Sequence, residues 1–82
     1  MKIKKNVAIS DSGFIFNPDT GESFTANPMA VEILEMTRDD KDRQDICEAI
    51  LEKYNIDRVT LEKDYNDFIA MLQRFQLIQE YE

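Results

Sequence analysis

Ser12-Gly13-Phe14-Ile15-Phe16-Asn17-Pro18-Asp19-Thr20-Gly21-Glu22-Ser23-Phe24-Thr25-Ala26-Asn27-Pro28 holds both glycines and both prolines of the chain, and three of its five phenylalanines. Phe14-Ile15-Phe16 is a run of strong strand formers. Asn17-Pro18-Asp19 suits a type I turn: Asn at its first position, Pro fixing φ at the second, Asp at the third. Gly21 can take the left-handed conformation from which the chain re-enters a strand. A four-residue loop over 18–21 sets a register in which Asn17 faces Glu22, Phe16 faces Ser23 and Ile15 faces Phe24. Ile15, Phe24 and Ala26 then share one face of the hairpin, and Phe14 and Phe16 the other.

Upstream, residues 2–10 alternate weakly, with Ile3, Val7 and Ile9 on one side, and read as a first strand closed by the turn cluster Ser10-Asp11-Ser12-Gly13. Downstream, Asn27-Pro28 opens a helix, with Asn as N-cap and Pro at the first helical position. The charged link Arg38-Asp39-Asp40-Lys41 ends it. A second helix begins near Asp42, with Asp45 three residues on in a capping-box arrangement, and Ile46, Cys47, Ile50, Leu51 and Tyr54 form its apolar side. Asn55-Ile56-Asp57 breaks it. Thr60 is the expected cap of a third helix, in which Leu61, Tyr65, Phe68, Leu72 and Phe75 form a stripe flanked by Ile69 and Met71. The chain then runs through Leu77-Ile78 into an acidic tail. The expectation is one α+β domain over residues 1–82, winged-helix-like, with a three-stranded antiparallel sheet (residues 2–27) followed by three helices (residues 28–78). In such a meander the third strand is an edge.

Ten Lys and Arg stand against seventeen Asp and Glu, a net charge of −7. This excess opposes binding to nucleic acid or to anionic membrane surfaces. The third helix, where a winged-helix DNA reader would need cations, carries Glu62, Asp64 and Asp67. With no histidine, Cys–His nucleophilic catalysis is excluded, and one cysteine without histidine cannot build an ordinary zinc site. Cys47, between Ile46 and Ile50, reads as a buried thiol. Asp39, Asp40 and Asp42 lack the Gly and distal Glu of an EF-hand loop. Asp11-Ser12 has the residue pair of an acyl-carrier attachment site, but Gly13 and a strand follow where a helix should open. No cofactor is expected. The opening MKIKKNVAISDS lacks the apolar run of a signal peptide, and no stretch approaches the ~18 apolar residues of a membrane span. A single cysteine needs no oxidising compartment, so the reading is a cytoplasmic, non-enzymatic protein.

The third strand is the feature left to explain. Its unpaired N–H and C=O groups have little polar protection, where natural edges are usually blunted. An edge beside an apolar helix makes a groove in which an extended peptide can add a strand. A second copy of the chain could close the same edge, so monomer and homodimer both stay open. A winged-helix regulatory domain acting through dimerisation or DNA is the alternative reading.

The stretches Phe24-Thr25-Ala26-Asn27-Pro28-Met29-Ala30, Ile46 through Tyr54-Asn55-Ile56, Asp64-Tyr65-Asn66-Asp67-Phe68-Ile69-Ala70-Met71-Leu72 and Phe75-Gln76-Leu77-Ile78 together resemble the PqqD family of small peptide chaperones in pyrroloquinoline quinone biosynthesis, and the wider set of RiPP precursor-peptide recognition elements. The resemblance covers nearly the whole chain. It departs where Arg38 to Asp42 replace a Gly often found between the first two helices, and at Gln76, where a Gly is common. It implies a domain that binds a precursor's leader peptide against the third strand and third helix and presents it to a modifying enzyme, often a radical SAM enzyme. Carried to this chain, the strand side is Ser23, Phe24 and Thr25, and the helix side Tyr65, Phe68, Ile69 and Leu72. Core packing competes for Phe24, Phe68 and Leu72, whereas Tyr65 and Ile69, on a flank of the stripe, are the expected groove contacts.

Overall fold

The computed structural model describes residues 2–79; the acidic tail expected at the C-terminus lies mostly outside them. The elements are β1 (Lys2–Ile3), β2 (Ala8–Ile9), β3 (Phe14–Asn17), β4 (Glu22–Thr25), α1 (Pro28–Arg38), α2 (Arg43–Lys53), α3 (Arg58–Arg74) and β5 (Ile78–Gln79). Strands β2, β3 and β4 form an antiparallel meander with β4 at one side. The β3–β4 register pairs Asn17 with Glu22, Phe16 with Ser23, Ile15 with Phe24 and Phe14 with Thr25, as the turn chemistry predicts. The amides of Thr20 and Gly21 donate to the Asn17 carbonyl at 3.3 and 2.8 Å, and Gly21 has φ +77°. Ile15 is fully buried, while Phe14 and Phe16 are 49% and 36% exposed on the other face.

The expected first strand is two strands. The Val7 amide donates to the Lys4 carbonyl at 3.1 Å, so the chain turns over residues 4–7. A continuous strand and this tight turn both leave Ile3 and Val7 facing inward, which is why alternation could not separate them; both are buried. The turn frees β1 to pair with β5 (Ile3 opposite Ile78), a second small sheet that brings the end of the chain back to its start. Gly13 permits a close crossing where β3 begins. It has φ +94°, and a Cβ there would sit 2.2 Å from the Ala26 carbonyl oxygen, which accepts no such approach from any other residue.

Helix α1 begins as read: the Asn27 side chain accepts from the Ala30 amide at 2.8 Å, with Pro28 next. Asp42 caps α2 by accepting from the Asp45 amide at 2.8 Å. Helix α3 begins earlier than the Thr60 reading, with Asp57 in the extended N-cap conformation. The Asp57 side chain makes no capping bond; the Asp57 carbonyl accepts the first helical bond, from the amide of fully buried Leu61 at 3.0 Å. Helices α1 and α3 both end in Schellman motifs. After α1, Lys41 and Asp40 donate to the carbonyls of Met36 and Thr37, each at 3.0 Å; after α3, Leu77 and Gln76 donate to those of Leu72 and Gln73 at 2.9 and 3.1 Å. The left-handed residues are Asp40 (φ 65°) and Gln76 (φ 61°).

The core gathers Ile3, Val7 and Ile15 with Ile33 and Leu34 of α1, Ile46, Cys47 and Ile50 of α2, Leu61, Tyr65, Ile69 and Leu72 of α3, and Leu77 and Ile78. Sheet and helices therefore share one apolar cluster. No helix among the described residues is long and apolar enough to cross a membrane.

Candidate functional site: the β4 edge and the groove along α3

The β4 edge follows from the register. The Ala26 amide donates to the Gly13 carbonyl at 2.7 Å, and in an antiparallel ladder every second residue turns its backbone toward the same neighbour. Glu22 and Phe24 thus direct their N–H and C=O groups at β3. Ser23 and Thr25 direct theirs outward, where no described strand pairs with them. Ser23 and Thr25 together offer a short main-chain template for an added strand.

Helix α3 runs beside this edge in the opposite sense. At its C-terminal end the half-buried ring of Phe24 meets that of Phe75, with centroids 4.6 Å apart and planes tilted by 47°. Close by, the wholly buried Asn17 side chain donates from Nδ2 to the carbonyls of Phe75 and Gln76 at 3.3 and 3.4 Å, and its Oδ1 accepts from the Asp19 amide at 3.0 Å. The hairpin is thereby pinned to the end of α3. From the Phe24 end a groove leads along Thr25, Ala26 and Ala30 on one side and Met71 and Phe68 on the other. It continues past Asn27, Met29 and Ile33 to Asp67 and Asp64. Each half has a volume of roughly 320–330 Å³.

The residues expected on the helix side separate in the structure. Phe68 lies on the groove with Phe24 and Thr25. Leu72 is fully buried, and Tyr65 and Ile69 are 7% and 8% exposed and belong to the core; neither lines the groove. The flank to which Tyr65 was assigned faces α2 instead. The Arg43 guanidinium covers its ring, 5.5 Å from the centroid, and Arg43 also lies 4.0 Å from Glu62. Burial pushes the Tyr65 hydroxyl and the Cys47 thiol above their ordinary pKa values, so neither is poised for chemistry at neutral pH. Sequence reasoning missed Met71 and Ala30 as groove walls. The 64, 67, 68, 71 spacing on one helical face was available, but only the position of α1 shows which flank of α3 stays open.

Among the described residues, no three of His, Cys, Asp or Glu are placed to hold a metal ion. The site is a main-chain edge with an apolar wall.

A family model for PqqD, coenzyme PQQ synthesis protein D, matches residues 13–78, from the start of β3 to β5. The chain belongs to the PqqD family. The matched span contains the β3–β4 hairpin and all three helices, and with them every wall of this PqqD-family groove. A solved structure described as TbiB1 in complex with the TbiA(beta) leader peptide superposes with a TM-score of 0.86 at 28% identity, covering 100% of this chain and 99% of that one. Comparison with curated proteins gives no match.

Proposed function

We propose that this PqqD-family domain is a non-catalytic adaptor that captures the leader segment of a ribosomally made precursor peptide and presents it to a separate modifying enzyme. The observation that carries the reading is the unpaired backbone of Ser23 and Thr25 beside the apolar groove of Phe24, Phe68 and Met71. Main-chain hydrogen bonds to β4 supply affinity, and side chains alternating into the groove supply selectivity. Similarity to a TbiB1 structure that holds a leader peptide supports it. In this reading Ser23, Phe24, Thr25 and Phe68 meet the guest, and Tyr65, Ile69 and Leu72 hold the wall from behind. The proposed enzyme partner is a radical SAM enzyme, by resemblance to the family. A nucleic-acid reading is disfavoured because the exposed face of α3 beside the groove carries Asp64 and Asp67.

The test uses peptides selected from a random ten-residue library on the immobilised protein. Their binding should shift the amide resonances of Glu22 to Ala26 and of Phe68 to Met71. Ser23→Pro removes an outward N–H that pairs with nothing in the native sheet, and should weaken binding at least about tenfold; Ser23→Ala, which keeps the N–H, should not. Shifts confined to α2, or equal binding by the proline variant, would refute strand addition.

A further inference from the structure

We infer that the guest selected by this groove is a cationic extended segment, with an apolar side chain seated between Phe68 and Met71 and a Lys or Arg two residues away facing Asp64 and Asp67. The inference rests on the strand-addition reading and deepens it.

Asp64, Asp67, Phe68 and Met71 lie at the 3- and 4-residue spacing of a single helical face, and together they line one wall of the groove. This wall is apolar toward the C-terminal half of α3 and acidic toward the N-terminal half. Among the described residues Asp64 has no cationic partner within 4 Å. Asp67 has only Lys63, at 3.4 Å, and that pair is 77% and 69% exposed, so it holds the Asp67 charge weakly. The opposite wall, Asn27, Met29, Ala30 and Ile33, brings no charge of either sign. A guest entering this half of the groove therefore meets two carboxylates and no compensating cation on the facing wall. The chain's net charge of −7 adds a long-range attraction for cations.

The spacing follows from matching a helical rise to a strand rise. Phe68 lies four residues from Asp64, about 6 Å along the axis. A strand advances about 6.6 Å in two residues, which also returns its side chain to the same face. A guest that pairs with β4 beside Phe68 and runs on along α3, past the end of β4, thus places side chains at positions n and n+2 (or n and n−2, according to its direction) beside Phe68 and Asp64. An acidic residue at the second position would face like charges.

The same random library tests this. Selected sequences should be enriched in Lys or Arg two positions from an apolar residue. In a chosen binder, Lys→Glu at that position should weaken binding about three- to tenfold at low salt, and the difference should shrink at 0.5 M salt. The double variant Asp64→Asn, Asp67→Asn changes only exposed side chains and should remove the Lys preference while still binding the Glu peptide. Binders that shift the β4 amides yet show no Lys-over-Glu preference would overturn this inference and leave strand addition standing. A library that yields no binder on the β4 edge would overturn both.

Discussion

Asn17 does two jobs with one side chain. Its Oδ1 closes the hairpin turn onto the Asp19 amide, and its Nδ2 holds the carbonyls at the end of α3. Asn17→Ala leaves these groups short of partners at a buried position, and should lower unfolding free energy by about 1–3 kcal/mol, read as a reduced urea midpoint at unchanged slope. Gln76 poses the opposite case. A side chain at φ 61° strains the backbone by about 1–2 kcal/mol relative to glycine. Gln76→Gly should therefore stabilise the domain by about 1 kcal/mol, a rise of roughly 4–8 °C in Tm. The contacts made by its carbonyl and amide are main-chain and survive the change. A fall in Tm would mean that the Gln76 side chain contributes more than the strain it carries.

At the scale of elements, α1 and α2 are joined by an ion pair between Glu32 and Lys53. The bond to Lys53 lowers the Glu32 pKa below its ordinary value, against a smaller opposing effect of burial. A carboxyl group depressed on folding stabilises the native state above its unfolded pKa, and that contribution disappears as pH falls through the folded value. The stability advantage of the native chain over Glu32→Gln should thus be constant near neutrality and shrink below about pH 4.5. Thermal melts of both forms from pH 7 to pH 3 measure it; parallel curves would show that the pair does not couple the helices. The edge strand belongs to this scale as well. β4 has only four residues and, among the described residues, pairs on one side, so its outward backbone is available without dismantling the sheet.

For the whole molecule, sheet and helices close over one apolar cluster, with Ile15 from β3, Leu34 from α1, Ile50 from α2 and Leu72 from α3 all essentially inaccessible. Leu72→Ala should cost about 2–5 kcal/mol. Because the cluster is shared, the hairpin and the helices should unfold together: helical circular dichroism and the dispersed amide resonances of β3 and β4 should be lost at one midpoint. Separate midpoints would show that the hairpin folds on its own. The exposed aromatic face at Phe14 and Phe16 takes no part in this cluster.

Local chemistry along the chain was enough to specify the hairpin register, the caps at Asn27 and Asp42, the meander followed by three helices, and the edge position of β4. Each depends on neighbours in sequence: a proline fixing φ, a glycine accepting positive φ, an Asn or Asp reaching an amide three residues on. The exclusions were also legible, since a chain without histidine cannot run histidine chemistry wherever it folds. The tertiary structure alone decided the rest. It divided the first strand and paired Ile3 with Ile78, a contact between the two ends of the chain that no local pattern encodes. It buried Asn17 against the end of α3. It turned Tyr65 toward Arg43, left Phe68 and Met71 beside β4, and set the two aspartates across from the start of α1. The apolar stripe on α3 is wide enough to serve either flank, and periodicity gives a helix its apolar face without stating which part of that face its neighbours will cover.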